Sequence, residues 1–434
     1  MMKTIRIRRT DLEFVREPLR APFGFKGRSL TELWQTVAKL ESESYTAVAP
    51  CVESVLWSDG QVFGENPPAV SSAMMMLVTN RALKLLEGES FTTPPEVIDG
   101  LLPELKRYAE QVCGHRVATT FVLNALVGVD CALWMLYAQE NGITSFDGLI
   151  PASAREALSC RHDALAQIPL LSYAVPEEEI RSVLDSGISL LKIKIGKAVP
   201  GVSTPEEDMA EMLKWDISRL RQIHGIASQY ETPHTKNGKV LYYLDANGRY
   251  DSLSRVEALL DAADKMGALD RIALLEEPFA PENHPFVGNL PVCVNADESA
   301  HSLEDVQERL SLGYKAVALK PIAKTVSISF RMAEAIHAAG GQCLCADLTV
   351  NPLLADWNKQ FAARVPALAG MKVGCVEING DQNYTDWKGL QGLLPDGLLP
   401  APLQNGVFPL DGEFYAQGEC LFRPNGYESY FRKI

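Results

Sequence analysis

Leu191-Lys192-Ile193-Lys194-Ile195, Leu241-Tyr242-Tyr243-Leu244-Asp245-Ala246-Asn247, Ala273-Leu274-Leu275-Glu276-Glu277-Pro278, Val292-Cys293-Val294-Asn295-Ala296-Asp297-Glu298-Ser299 and Ala316-Val317-Ala318-Leu319-Lys320-Pro321 lie along one stretch of the chain that begins at Leu191 and reaches Lys320. Each is a short apolar run that ends at a charged residue and a turn. That is the pattern of a buried parallel strand whose C-terminal end opens into a site, so the charges would share one mouth. Asp245, Glu276, Asp297 and Lys320 follow one another at intervals of 31, 21 and 23 residues. Each interval has room for one strand and one returning helix, which places the charges on consecutive strands of a barrel. Lys192 and Lys194 are two apart and point to the same side of their strand.

Outside this stretch, composition sets bounds. A chain of 434 residues, 47% hydrophobic, can bury a large core and suits a barrel with an added domain. A net charge of −14 argues against a nucleic-acid partner. The N-terminal decapeptide alternates like an edge strand, and no apolar run approaches the about 20 residues of a membrane helix, so a soluble, cytoplasmic protein is expected. Nine cysteines are scattered through apolar segments, and Cys343-x-Cys345 reads as core packing rather than as a metal site.

The flanking chain completes the plan. Residues 1–20 alternate, Pro22-Phe23-Gly24-Phe25-Lys26-Gly27 reads as a glycine-bounded loop, and Leu33–Leu40 as a second strand. Helices are expected over Ala69–Leu86 and Ala118–Asn141, the latter stopped by Asn141-Gly142. This makes an α+β domain of residues 1–150. Strand and helix alternate over residues 165–384, with Gln342–Asp347 as a late strand, and a Gly- and Pro-rich segment, 385–434, returns to the first domain. The fold class is therefore α/β, a (β/α) barrel with an α+β domain. Glu231–Gly238 reads as an inserted polar loop.

Three carboxylates at one mouth repel one another unless a cation sits among them, so Asp245, Glu276 or its neighbour Glu277, and Asp297 imply a divalent metal. Taken singly, each acid could as well cap the helix after its strand; placement in phase on three strands favours the metal. Ligands that are all oxygen favour Mg²⁺, with Mn²⁺ as the alternative. Lys194 and Lys320 flank the acids in strand order, and desolvation with nearby cations would lower a lysine towards the range of a general base. Two bases across a metal suit removal of an α-proton from one face of a carboxylate substrate and its return to the other.

These residues resemble the enolase superfamily, in particular its muconate-lactonizing branch of cycloisomerases, succinylbenzoate synthases and dipeptide epimerases. Lysine or histidine bases acting with Mg²⁺ through an ene-diolate are that superfamily's known chemistry. By the resemblance Lys194 is one base with Lys192 its supporting cation, Lys320 is the opposite base, and Asp245, Glu276 and Asp297 are the metal ligands. It also implies that residues 1–150 and 385–434 form a capping domain, whose loops at Phe23–Gly27 and Glu53–Gly60 would set specificity. Asn247, Asp347, Glu377 and Asn379 are candidate substrate contacts, the last two standing where dipeptide epimerases carry Asp-x-Asp. Lys320-Pro321 is more like some succinylbenzoate synthases. The expected activity is that of a racemase or epimerase acting on a small carboxylate, with a cycloisomerase, a succinylbenzoate-synthase-like enzyme or an acid-sugar dehydratase as alternatives. Neither a nucleic acid nor a membrane is expected as a partner; self-association stays open. A Schiff-base aldolase using Lys320 and a non-catalytic binding protein on the same fold are the readings from other classes.

Overall fold

The structure, a computed structural model, describes residues 2–25, 28–202, 204–283, 285–398 and 402–432. Near the N-terminus Arg9–Phe25, Arg28–Glu41 and Thr46–Glu53 form an antiparallel three-stranded sheet. The expected loop from Pro22 is overturned as far as Phe25, since the strand runs on to that residue. It is an edge strand whose register shifts between Pro18 and Phe23, and an edge tolerates prolines that a central strand would not. Lys26 and Gly27, the end of the expected loop, lie outside the described residues.

Helices Pro68–Leu86 and Thr119–Asn141 pack on this sheet, and Pro94–Cys113 packs against both of them. Thr119–Asn141 is buried from Thr120 to Ala138 and ends at Gly142 in the left-handed region (φ 65°). This corrects the expectation that no apolar run approaches membrane length: by length and composition the helix could cross a membrane, yet its apolar stretch lies wholly inside the protein. A Cβ at Gly128 would meet Ala49 O at 2.9 Å, so glycine lets the helix sit directly on Thr46–Glu53.

Eight parallel segments form the barrel. The first, residues 164–171, is broken at Pro169: Ala164–Ile168 pairs with Gly374–Glu377, and Leu170–Leu171 with Leu190–Lys194. The sheet thus closes on itself through this segment, in the order Leu190–Lys194, Leu241–Asp245, Ile272–Glu276, Val294–Ala296, Ala316–Leu319, Gln342–Cys345, Gly374–Glu377. Helices return the chain between most strands. The interval from Glu276 to Asp297 departs from expectation, holding an irregular connection and no helix among its described residues. Pro278, Pro281, Pro285 and Pro291 each remove a backbone donor and disfavour helix there.

The inserted loop closes the barrel end away from the strand C-termini. Thr235 bridges Met371, and Lys372 N donates to His234 O at 2.8 Å, at the N-terminal ends of Leu241–Asp245 and Gly374–Glu377. The C-terminal segment adds Val407–Pro409 antiparallel to Ala164–Ile168 and reaches the N-terminal sheet, where Asn425 Nδ2 donates to Val48 O at 2.8 Å.

Asp130 joins the N-terminal layer to the barrel. Its carboxylate accepts from Ser327 N at 2.9 Å and Ser327 Oγ at 2.6 Å, at the start of helix Val326–Ala338, while Trp134 Nε1 donates to the same Oγ at 3.0 Å. Burial outweighs these hydrogen bonds and raises the Asp130 carboxyl from 3.8 to about 7. Between those values the folded chain holds a proton that the unfolded chain has lost, so this group makes stability fall as pH rises. Denaturant midpoints measured across that window should fall less in Asp130→Asn than in the unaltered protein, and Asp130→Ala should cost about 2 kcal/mol.

Candidate active site

Lys194, Asp245, Glu276 and Asn295 are direct register partners across four neighbouring strands, so one layer of the barrel carries a cation, two acids and an amide side by side. Lys192 sits among the acids. Its Nζ is 2.9 Å from Glu276 Oε1, 3.2 Å from Asp245 Oδ2 and 3.3 Å from Glu377 Oε2. Lys194 Nζ donates to Asp245 Oδ2 at 2.6 Å and to Asn247 Oδ1, and its side chain, 17% exposed, is the most accessible of the site lysines.

Glu276 and Glu277 part company at the strand end. Glu276 faces the barrel interior, with Oε2 accepting from Tyr243 OH and from Asn295 Nδ2 at 2.7 Å. Glu277, at φ 38°, turns away and clamps the next loop, its Oε2 accepting from Asp297 N at 2.8 Å, Ser299 N at 3.2 Å and Ser299 Oγ at 3.0 Å. Burial, reinforced by Glu298, raises the Glu277 carboxyl to about 8.

Asp297 is held on every side. Oδ2 accepts from Lys320 Nζ and from Trp57 Nε1 at 3.3 Å, while Oδ1 lies 3.2 Å from Lys324 Nζ. Burial opposes its charge, but Lys320, Lys324 and Lys192 overcome that and hold Asp297 well below the carboxylate range. Asp245 is lowered in the same way by Lys192 and Lys194 against burial, whereas in Glu276 burial wins and the carboxyl rises. Burial pulls Lys320 down, but Asp297, Glu298 and Glu276 together outweigh it, and Lys320 is raised.

The candidate substrate contacts reach the mouth already engaged. Asn247 Nδ2 donates to Glu298 Oε1 at 2.9 Å. Asp347 Oδ2 accepts from Asn379 N at 2.7 Å, and Glu377 accepts from Asp347 N at 3.2 Å and from Asn379 Nδ2 at 3.0 Å. These three therefore tie the loops after the last two strands together. Four non-glycine residues with positive φ, Asn247 (44°), Glu277 (38°), Thr325 (71°) and Thr349 (60°), follow strands at this same mouth. For β-branched threonines that is genuine strain, of the sort stored where a site must be held rigid.

Five residues escaped the sequence reading. Tyr243 and Asn295 each stand two places before a singled-out acid, so strand alternation could have found them. Glu298 stands beside Asp297, and Lys324 lies one tight turn after Lys320. Trp57, whose ring covers Lys320 Nζ at 4.5 Å, was not singled out, though it lies within Glu53–Gly60, the stretch expected as a specificity loop, which the structure folds in part as a short helix, Val55–Ser58.

No family model matches the sequence, and no curated protein matches it. Solved structures do. An Enterococcus faecalis V583 protein described as an unknown member of the enolase superfamily superposes with TM-score 0.65 at 17% identity, covering 99% of this chain and 98% of its own. The chain has the enolase-superfamily fold. A dipeptide epimerase from Cytophaga hutchinsonii, complexed with Mg and D-Ala-L-Val, gives 0.63 at 14% identity over 94% of this chain and 93% of its own. Muconate lactonizing enzyme from Pseudomonas fluorescens, complexed with muconolactone, gives 0.62 at 18% over 94% of each chain.

On this enolase-superfamily fold the fit of a divalent cation can be tested from the donors. Asp245, Glu276 and Asp297 offer oxygen alone, as a hard cation requires. Asp297 Oδ1 is buried without a hydrogen-bond partner among the described residues, as is the nearby Glu298 Oε2. Among the described residues no three acid or histidine side chains enclose an ion as they stand. Donor type and the open oxygen of Asp297 fit Mg²⁺. The premise that the acids lack a counter-ion is nevertheless corrected, because Lys192, Lys194, Lys320 and Lys324 already pair with Asp245, Glu276, Asp297 and Glu377.

Proposed function

We propose that this chain is a Mg²⁺-dependent member of the enolase superfamily that removes the α-proton of a small carboxylate substrate through an enolate, as a racemase or epimerase. The observation that carries this reading is the placement of two lysines. Lys194 ends the second barrel strand and Lys320 follows the sixth, half a turn of the barrel apart, and each is ion-paired to an acid of the same cluster. A carbon held between them would present one face to each. Lys194 is placed to take a proton from one face, and Lys320, kept charged by Asp297, to donate one to the other. Lys192 supplies a fixed positive charge among the acids. Bound at Asp245, Glu276 and Asp297, Mg²⁺ would stabilise the second negative charge that develops as the α-proton leaves.

A second reading, a cycloisomerase, a succinylbenzoate-synthase-like enzyme or an acid-sugar dehydratase, is favoured by the pairing of Glu377 with Lys192. That carboxylate is spent inside the protein and is not offered to a substrate amine, which weighs against dipeptides. The test is deuterium uptake from solvent at the α-carbon, screened over carboxylates that include dipeptides and acid sugars, with Mg²⁺ present. Exchange into any of them supports the reading; its absence from all of them favours a non-catalytic protein.

A further inference from the structure

Lys324 is the lysine at the mouth that the proposed chemistry leaves unused. Ala323 N and Lys324 N both donate to Lys320 O, at 2.9 and 2.6 Å, in a turn that folds Lys324 back towards Asp297. The side chain is completely buried. Its Nζ donates to Asp297 O at 2.7 Å and to Ala318 O at 3.1 Å, which satisfies two backbone carbonyls. It also lies 3.2 Å from Asp297 Oδ1, in an ion pair with it. Its charge is therefore felt directly by that oxygen.

We propose that Lys324 is a built-in counter-cation to Asp297, a positioning residue that holds this ligand in place while holding metal affinity down, so that the ion is exchangeable. The proposal rests on Asp297 being a metal ligand, as in the reading above. An ion bound at Oδ1, with Mg–O distances near 2 Å, would lie within about 5 Å of the Lys324 charge. At that range a divalent and a monovalent cation repel appreciably even in a partly screened site. A neutral residue that hydrogen-bonded to the two carbonyls would spare the ion that repulsion. Burying a lysine is costly, and the function we assign it gives that cost a reason.

The experiment is calorimetric titration of Mg²⁺, and of Mn²⁺ as a second probe, into the unaltered protein, Lys324→Gln, Lys324→Met and Lys324→Arg, with thermal unfolding as the check of folding. Glutamine can still donate to the carbonyls without a charge, and it decides the matter if the methionine variant does not fold. Expected is binding about tenfold tighter in Lys324→Gln, with Lys324→Arg returning to the unaltered affinity. A merely structural role would leave affinity unchanged or lower it in both variants. If the unaltered protein binds and Lys324→Gln binds equally or more weakly, the counter-cation proposal is overturned and the metal reading stands. If neither binds either metal, the metal reading fails and takes the proposal with it.

Discussion

Lys320→Ala is expected to cut α-proton exchange starting from one enantiomer of a substrate by about a thousandfold, while exchange starting from the other survives in part. Lys194→Ala should do the reverse. The asymmetry follows from geometry, because Lys194 and Lys320 approach the acid cluster from strands on opposite sides of the barrel and each reaches one face of a carbon held between them. The measurement is deuterium incorporation by NMR from each pure enantiomer. Melting curves should stay close to those of the unaltered protein for Lys194→Ala, whose side chain is partly exposed. Lys320→Ala removes a buried partner of Asp297, but Lys324 and Trp57 still contact that carboxylate and should keep it in place. Equal loss from both enantiomers in both variants would mean one base and one electrostatic lysine, which points to a cycloisomerase or dehydratase.

Much of this was legible because the barrel strands write their orientation into the sequence. An apolar run that must be buried on both faces, then a charge that burial tolerates only beside an opposite charge, marks both the strand and the end that opens, and it does so at Leu190–Lys194 and at Leu241–Asp245. The tie between Glu276 and Glu277 could not be broken in that way, since adjacent residues at a strand end obey alternation only while the backbone stays extended. Glu277 has left the strand at φ 38°, and only its hydrogen bonds to the Asp297–Ser299 loop reveal what it does. The connection from Glu276 to Asp297 has the length of a helical crossover but not the composition, and its prolines carry that signal. Counter-charge is not legible strand by strand, because Lys324 comes back to Asp297 through a turn. For Trp57 only the stretch Glu53–Gly60 is legible, through the resemblance; its contacts with Asp297 and Lys320, more than two hundred residues away in sequence, leave no local pattern.

Glu276→Gln is expected to weaken Mg²⁺ binding about a hundredfold, whereas Glu277→Gln should change it by no more than a few-fold. The two residues are adjacent and chemically identical, so the comparison isolates position. Glu276 is fully buried in the barrel interior, where it shares Lys192 with Asp245, and the amide would remove a negative charge while keeping the shape that Tyr243 and Asn295 grip. Lys192 would then keep two carboxylate neighbours instead of three, and its excess charge would further oppose a cation. Glu277 points away from the other acids into the Asp297–Ser299 loop, so an amide there leaves the donors around the ion untouched. Its amide oxygen can still accept from Asp297 N, and the loop that carries Asp297 should stay in place. Calorimetric titration of Mg²⁺ into both variants near neutral pH reads the difference directly. Losses of equal size would mean that Glu277 reaches the ion or that the Asp297 loop depends on its charge, and an undiminished affinity in Glu276→Gln would remove Glu276 from the ligand set.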